Sequence, residues 1–245
     1  MICTAPRSGS TLLCSLLAAT RVAGKPASHF YDPSVAKWLA DLGVTVADNA
    51  AEADQMQAVV TAALRRGRAD TGIFALRQQA PGRVFLCARL TVLAPQATSD
   101  AGRIAAVFGR TAVIHLTRAD KVDQAVSLLL ARQTGLWHRA ADGSDLERTA
   151  PHQPPVYDAK AIRAIVADLA AQDQDWTDRF AREGISPLRL THAEVSGQPQ
   201  NTVRRVLGAV GLAPSHADGV MPGTRKLADA TNQAWVARFR SEPAG

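Results

Sequence analysis

The sequence predicts an α/β fold in which a mostly parallel β-sheet is flanked by helices. Short apolar runs typical of buried strands alternate along the chain with longer segments whose apolar residues recur at helical spacing. This alternation is the pattern of a parallel sheet whose connecting helices cover both faces. The 245 residues are 47% hydrophobic and show neither an internal repeat nor a clear boundary. We therefore expect one domain spanning 1–245.

The predicted strands are short apolar runs, and in chain order they cover 2–5, 72–76, 111–116 and 187–191. TAVIHL at 111–116 is the clearest of them, and GIFAL at 72–76 predicts a short buried strand. The predicted helices carry an apolar stripe, and they cover 10–19, 34–42, 52–66, 84–94, 121–139, 159–183, 200–210 and 232–240. In 10–19, for example, the stripe consists of leucines at 12, 13, 16 and 17. The Pro-rich segment 141–157 predicts a loop.

The composition excludes several classes of protein. No apolar run approaches the roughly 18–20 residues of a membrane-spanning helix, and Pro6 and Arg7 interrupt the start too early for a signal peptide. The three cysteines lie in apolar segments without metal-ligand spacing, which predicts a reduced, cytoplasmic protein without a bound metal. The net charge is +6, but the 28 basic residues are scattered without interleaved aromatics. That distribution argues against a nucleic-acid partner.

The first strand-to-helix junction, APRSGSTLL, has the design of an anion site. A glycine among small hydroxyl residues lets backbone amides approach an anion, and the following helix N-terminus adds positive charge. The junction differs from the ATP-type motif GxxxxGK[ST], because Ser10 follows Gly9 where the lysine would stand and Thr4 replaces the first glycine. Arg7 supplies the cation instead. The alternative is an ordinary helix start capped by Ser8 or Ser10.

A second strand-to-helix junction also predicts an anion site. Arg118 comes soon after the strand TAVIHL, and Ser127 lies nine residues later on the next helix. This pair can clamp a second phosphate. The alternative is that Arg118 pairs with Asp120 or Asp123 and that Ser127 is a small packing residue.

Together the two junctions resemble those of sulfotransferases that use 3′-phosphoadenosine 5′-phosphosulfate (PAPS). The chain as a whole looks like the bacterial trehalose 2-sulfotransferase-like family, which includes proteins linked to sulfation of lipopolysaccharide or glycolipid sugars. The matching blocks keep the family's order over nearly the whole chain, and they are PRSGSTLLCSLL (6–17), AGKP with Phe30 (23–30), GIFALR (72–77), IHLTRADKVDQAVS (114–127), RQTGLWHR (132–139) and ADATNQAWVARFR (228–240). The resemblance implies a P-loop NTPase-like fold of the sulfotransferase type, and a homodimer.

The resemblance also implies roles for individual residues. The 5′-phosphosulfate would be held by Arg7, Ser8, Gly9, Ser10, Thr11 and Leu12. Arg118 and Ser127 would hold the 3′-phosphate, and Lys226 would close over the PAPS from the C-terminal segment, with or without Arg225. No metal is implied.

The sequence departs from this family at the catalytic glutamate. That glutamate follows a Gly-x-Pro-x pattern, and the matching position in GKPASHF is Ser28. Because a serine cannot act as general base at neutral pH, we expect His29 to take the acceptor's proton; the alternative is an exposed loop histidine without a role. Arg77, at the end of GIFALR, is expected to contact sulfate or acceptor, as is Ser28, with a surface ion pair as the alternative for Arg77. His115 is expected in the core.

The predicted function is transfer of the sulfuryl group of PAPS to a hydroxyl of a sugar or glycolipid acceptor, giving PAP and a sulfate ester. One alternative is a nucleotide or nucleoside kinase, which would need the missing Gly-Lys dipeptide. Another is a non-catalytic protein that binds PAP or PAPS, which would not need the absent glutamate.

Overall fold

The computed structural model of the protein describes residues 1–140, 142, 144–221, 224–225 and 230–242. The strands of this part of the chain are β1 (Ile2–Thr4), β2 (Arg77–Gln79), β3 (Ile114–Thr117), β4 (Leu136–Ala140), β5 (Asp145–Arg148), β6 (Leu188–Thr191) and β7 (Thr224–Arg225). Four of them form a central parallel sheet in the order β2-β1-β3-β6. This sheet confirms the predicted α/β class.

The α-helices surround the central sheet. They are α1 (Ser10–Ala19), α2 (Val35–Leu42), α3 (Glu52–Arg68), α4 (Ala80–Arg89), α5 (Asp100–Phe108), α6 (Lys121–Thr134), α7 (Ala159–Arg182), α8 (His192–Gly197), α9 (Pro199–Ala209) and α10 (Ala230–Ser241). Within the described residues, none of these helices is both long enough and apolar enough to cross a membrane.

The strand register brings several loop ends to one edge of the sheet. Thr4, the last residue of β1, pairs with Gln79 of β2 and with Leu116 of β3, and Thr117 pairs with Thr191 at the end of β6. Since all four strands are parallel, the loops that lead into α1, α4, α6 and α8 leave from this same carboxyl edge. The two predicted anion junctions are therefore neighbours.

Apolar side chains cover both faces of the sheet. Leu13 and Leu17 of α1 pack with Leu207 of α9 and with Ile114 and Leu190 of the strands. On the opposite face, Cys3 of β1 packs against side chains of α4 and α7, which are Ala80, Trp176 and Phe180. The loops at the carboxyl edge thus stand on a rigid, two-sided core.

Several predicted boundaries in the first half of the chain were wrong. The predicted strand 72–76 lies just before β2, which begins at Arg77, because the β1 register pairs Ile2 with Arg77. The Gly67 carbonyl of α3 instead accepts from the Ala75 amide at 3.5 Å. Arg77 therefore begins a strand and does not end one. Likewise α4 begins at residue 80 and not 84, with Pro81 in its first turn, and β3 begins at residue 114 and not 111.

The predicted helix 121–139 and loop 141–157 were also partly wrong. Helix α6 ends at Thr134 because Gly135 adopts a left-handed φ of +68°. A Cβ on Gly135 would lie 2.7 Å from backbone atoms of Ala150, so no other residue fits there without movement. Beyond Gly135 the chain forms β4, which pairs antiparallel with β5 and with β7. This hairpin contributes to the site.

Two helices were missed although their sequences carry cap signals. Ser99 caps α5 by accepting from the Gly102 amide at 3.0 Å, and Gly109 follows its last residue. Helix α8 starts with a capping box between Thr191 and Glu194. Both patterns are readable without a structure.

Candidate active site

The loop between β1 and α1 leaves backbone amides available to an anion. Gly9 is the N-cap of α1, and no described side chain caps this helix. The first intrahelical hydrogen bond runs from the Leu13 amide to Gly9 O at 3.1 Å. The amides of Ser10, Thr11 and Leu12 therefore have no partner among the described residues. Unpaired amides at the positive end of a helix dipole form an anion-binding site.

The serine side chains of the loop do not cap the helix, so the alternative of an ordinary capped start is wrong. Ser8 is fully buried, and its hydroxyl is hydrogen bonded to Thr4 Oγ1. Thr4 Oγ1 also donates to Leu116 O at 2.9 Å. Ser8 thus anchors the loop to the sheet, which leaves its backbone amide as the group available to a ligand. Ser10 is buried in the first turn of α1.

Two features require glycine at position 9. Its φ of +89° lies in the left-handed region that side chains rarely adopt. A Cβ there would also lie 2.8 Å from Cδ2 of His192, the first residue of α8. The His192 ring therefore packs directly against the loop backbone.

Arg7 is the loop's cation, and it also has a left-handed backbone, with φ of +60°. Its Nε donates to Ser127 Oγ at 3.1 Å, and its Nη1 donates to Trp137 O at 2.6 Å. Burial and the nearby Arg118 lower the pKa of Arg7 to about 10, whereas Glu147 acts in the opposite direction. An anion bound beside Arg7 would offset the repulsion between the two guanidinium groups.

Arg118 lies beside Arg7 at the end of β3 and is 8% exposed. Its Nη1 donates to Arg7 O at 3.2 Å, and its Nη2 pairs with Asp123, which is the ion pair foreseen as an alternative. Ser127 does more than pack, because it accepts from Arg7. The structure thus brings Arg7 together with Arg118 and Ser127, which are 111 and 120 positions away from it in the sequence.

A second chain of polar contacts crosses the mouth of the loop. Arg77 Nη1 donates to Thr11 Oγ1 at 2.7 Å, and Arg77 Nε donates to Ser28 Oγ at 2.8 Å. On its other side Thr11 Oγ1 lies 3.0 Å from His138 Nε2. Ser28, Arg77, Thr11 and His138 are therefore connected side by side at one end of α1.

His138 and Glu147 belong to this site, and the sequence interpretation did not single them out. His138 lies on β4 and Glu147 on β5, with 3.5 Å between Nε2 and Oε2. Burial, followed by the charges of Arg7 and Arg77, lowers the pKa of His138 to about 4. The block RQTGLWHR contained the signal, but it was assigned to a helix. A strand starting after Gly135 would have placed His138 beside the loop.

His29 is not brought to this cluster. Its ring stacks on Phe74 with centroids 6.2 Å apart, and Phe74 stacks on Phe108 of α5. The side chain is 7% exposed, and Nε2 is buried without a partner among the described residues. Burial, with a contribution from Arg66, lowers the pKa of His29 to about 4. His29 therefore packs in the apolar layer behind Ser28 and is not the exposed histidine of the alternative.

Two other residues named from the sequence are Lys226 and His115, and the structure describes only His115. Lys226 lies outside the described residues. His115 is 2% exposed in β3, as expected for a core residue. Within the described residues, no group of three or more His, Cys, Asp and Glu side chains is arranged to hold a metal ion.

The arrangement is suited to a ligand with several negative charges. The three unpaired amides of α1 are available to one anionic group, Arg7 adds a positive charge next to them in the loop, and Arg118 is hydrogen bonded to the Arg7 carbonyl. Charge-assisted contacts of this kind are about twice as strong as neutral ones. The hydroxyl, guanidinium and imidazole groups at the mouth offer hydrogen bonds to a neutral, hydroxyl-bearing molecule.

Comparison with known proteins agrees with this geometry. A trehalose 2-sulfotransferase of Mycobacterium tuberculosis (strain Erdman) is 30% identical over 99% of this chain and 94% of its own length. A trehalose 2-sulfotransferase of Mycolicibacterium smegmatis is 29% identical with the same coverage. The family model described as Stf0 sulphotransferase matches residues 1–242. Since that match covers nearly the whole sequence, the chain belongs to the Stf0 sulphotransferase family.

Proposed function

We propose that this sulfotransferase transfers the sulfuryl group of PAPS to a hydroxyl of a sugar or glycolipid, giving PAP and a sulfate ester. The observation that carries the proposal is the uncapped N-terminus of α1 with Arg7 beside it. A phosphosulfate is the anion that such a loop suits, and the missing ATP-type lysine argues against a kinase.

The residues around the loop support a donor with two separate anionic groups. We assign the 5′-phosphosulfate to the amides of Ser10, Thr11 and Leu12 and to Arg7. We assign the 3′-phosphate to Arg118 and Ser127, which the structure places on the α6 side of the same loop. Arg118 would then share its charge between the phosphate and Asp123, so Asp123 holds the guanidinium in position before the donor arrives.

The acceptor is assigned to the mouth lined by Thr11, Arg77 and Ser28. These groups can exchange hydrogen bonds with sugar hydroxyls, and the similar proteins carry the name trehalose 2-sulfotransferase. In the transfer Arg7 would neutralise charge that develops on the departing phosphate. A homodimer and a cytoplasmic location remain predictions.

The test is a screen with ³⁵S-labelled PAPS against trehalose, other sugars and glycolipids, with calorimetry for PAP and ATP run in parallel. We expect a labelled sulfate ester with a sugar acceptor, and tighter binding of PAP than of ATP. Binding of PAP without any labelled product would favour a non-catalytic binder, which the serine at position 28 makes the second candidate. Tighter binding of ATP would refute the proposal.

A further inference from the structure

Ser28 leaves the proposed reaction without an evident base. Transfer to a hydroxyl releases a proton, and a positioned general base typically contributes about 10²–10⁴-fold to such a step. Ser28 Oγ accepts a hydrogen bond from Arg77. Because a serine hydroxyl is not ionised at neutral pH, it cannot take the proton. His29 lies among Phe74 and other apolar side chains. A proton acceptor must therefore come from elsewhere at the mouth of the loop.

His138 occupies the required position. Its Nε2 is 3.0 Å from Thr11 Oγ1, and Thr11 belongs to the helix turn that offers its amides to the donor. Thr11 Oγ1 accepts from Arg77, and in the tautomer of His138 that carries its proton on Nδ1 the hydroxyl donates to Nε2. A neutral imidazole whose Nε2 accepts from a hydroxyl is in the protonation state that a base needs. An acceptor hydroxyl entering the mouth could replace that of Thr11 as the partner of Nε2.

Glu147 lies beside the same nitrogen. Its Oε2 is 3.5 Å from His138 Nε2, and its side chain is half exposed on β5. Once Nε2 holds a proton, it becomes a donor, and the carboxylate is the nearest described group of opposite charge. An opposite charge at this distance stabilises the imidazolium. Glu147 is thus a positioning residue for His138.

On the basis of the proposed function, we infer that His138 Nε2 is the general base of this chain, supported by Glu147 and activated when the donor's phosphosulfate neutralises Arg7. The acceptor hydroxyl oxygen forms a bond to the sulfur as the sulfur's bond to the phosphate oxygen breaks. That oxygen leaves with the electron pair as part of PAP. The hydroxyl proton moves to His138 Nε2 and from there to solvent.

The charges around His138 make its basicity depend on whether the donor is bound. The charged groups of the described residues that face it are Arg7 from the loop, Arg77 from β2 and Glu147 from β5. Burial, and after it the charges of Arg7 and Arg77, lower the pKa of His138 to about 4, which makes the imidazole a weak base. A bound donor offsets the charge of Arg7 and so raises this pKa, whereas the effect of burial remains. His138 is therefore a better base when the donor is bound than when it is absent.

The first experiment follows the His138 imidazole directly and needs no acceptor. Long-range ¹H–¹⁵N NMR of ¹⁵N-histidine-labelled protein reports the protonation of each ring, and a His138→Gln spectrum assigns the signal. We expect His138 to titrate near pH 4 alone and about 1–2 units higher with saturating PAP. A titration that PAP leaves unchanged would overturn the activation by the donor.

The second experiment uses sulfuryl transfer in variants. His138→Gln should lower the rate by about 10²–10⁴-fold and remove the acidic limb of the pH–rate profile, with the affinity for PAP within about threefold. Glu147→Gln should move that limb to lower pH, because the imidazolium of His138 loses the carboxylate that stabilises it and the pKa of His138 falls. His216→Gln, which replaces an exposed histidine in the short turn after α9, is the matched control.

The outcomes separate this inference from the proposed function. If the parent transfers sulfate and His138→Gln keeps its rate and pH profile, the base is not His138. If only Glu147→Gln abolishes transfer, the carboxylate is the base and the inference is wrong. If His138→Gln does not fold, an unmoved acidic limb in Glu147→Gln still refutes the role of the pair. If the parent itself produces no sulfate ester from PAPS, the proposed function fails first.

Discussion

If Arg118 and Ser127 bind the 3′-phosphate, the protein should bind PAP more tightly than AMP, which lacks that phosphate. Arg118 is 8% exposed, so a phosphate beside it makes a charge-assisted contact that water screens little. Losing such a contact costs about 1.5–3 kcal/mol, or roughly tenfold to a hundredfold in affinity. The contact is shared with Asp123, which favours the lower half of this range.

The expected size of the effect follows from ligand linkage. PAP at about 100 times its Kd stabilises the fold by about 2.7 kcal/mol, which for a chain of this length raises Tm by about 5–10 °C. AMP at the same concentration is then at about 2–10 times its own Kd and stabilises by about 0.6–1.4 kcal/mol, or about 1–6 °C. Differential scanning fluorimetry measures both shifts side by side.

Variants make this prediction specific to the 3′-phosphate. Arg118 and Ser127 both contact Arg7, so Arg118→Gln and Ser127→Ala are each expected to weaken the binding of PAP and of AMP. The ratio of PAP to AMP affinity cancels that shared loss, and it should fall toward one in Arg118→Gln. Equal Tm shifts with PAP and AMP in the parent protein would refute the assignment. So would an Arg118→Gln variant that keeps the parent's ratio.

Three further predictions follow from the loop and from the buried His29. Arg7→Ala should abolish transfer from labelled PAPS and Arg7→Lys should restore part of it, because a point charge remains; an alanine variant with the parent's rate would contradict this. Gly9→Ala should lower the free energy of unfolding in urea by at least about 1–2 kcal/mol, since its Cβ would also meet the His192 ring at 2.8 Å; an unchanged midpoint would be incompatible with the loop geometry. The pKa of His29 is about 4, below its unfolded value near 6.5, so the unfolded state binds more protons and stability is lost as pH falls through this window, by up to about 3 kcal/mol. His29→Leu should lose less stability than the parent between these pH values, and equal losses would show that His29 is not buried neutral.

The sequence determined the class of the fold and the nature of its first anion loop. Helix α1 begins and ends where the leucine stripe predicts. The loop before it can be recognised from Gly9 and Arg7, because its left-handed backbone requires a glycine and its anion requires a nearby cation. The family could also be recognised from sequence, since ordered motifs are properties of the chain itself. Local patterns determine local structure, and these features are local.

Strand boundaries and the composition of the mouth depended on tertiary structure. GIFAL has the pattern of a strand, but pairing with β1 starts one residue beyond it, because register is set between strands and not within one. RQTGLWHR continues the apolar pattern of α6, but the left-handed Gly135 ends the helix, and its close contact with Ala150 exists only in the folded chain.

The same reason explains the histidines. Ser28 and His29 are adjacent in the sequence, and only packing decides that Ser28 meets Arg77 while His29 lies on Phe74. His138 reaches Thr11 across 127 positions of the sequence, through an antiparallel hairpin. Gly135 marks the end of α6 locally, but only the folded chain places the hairpin beside the loop. Which side chain can take a proton at the loop depends on such long-range contacts, so the sequence alone indicated that a base was missing from position 28, and the folded chain determined which groups lie in its place.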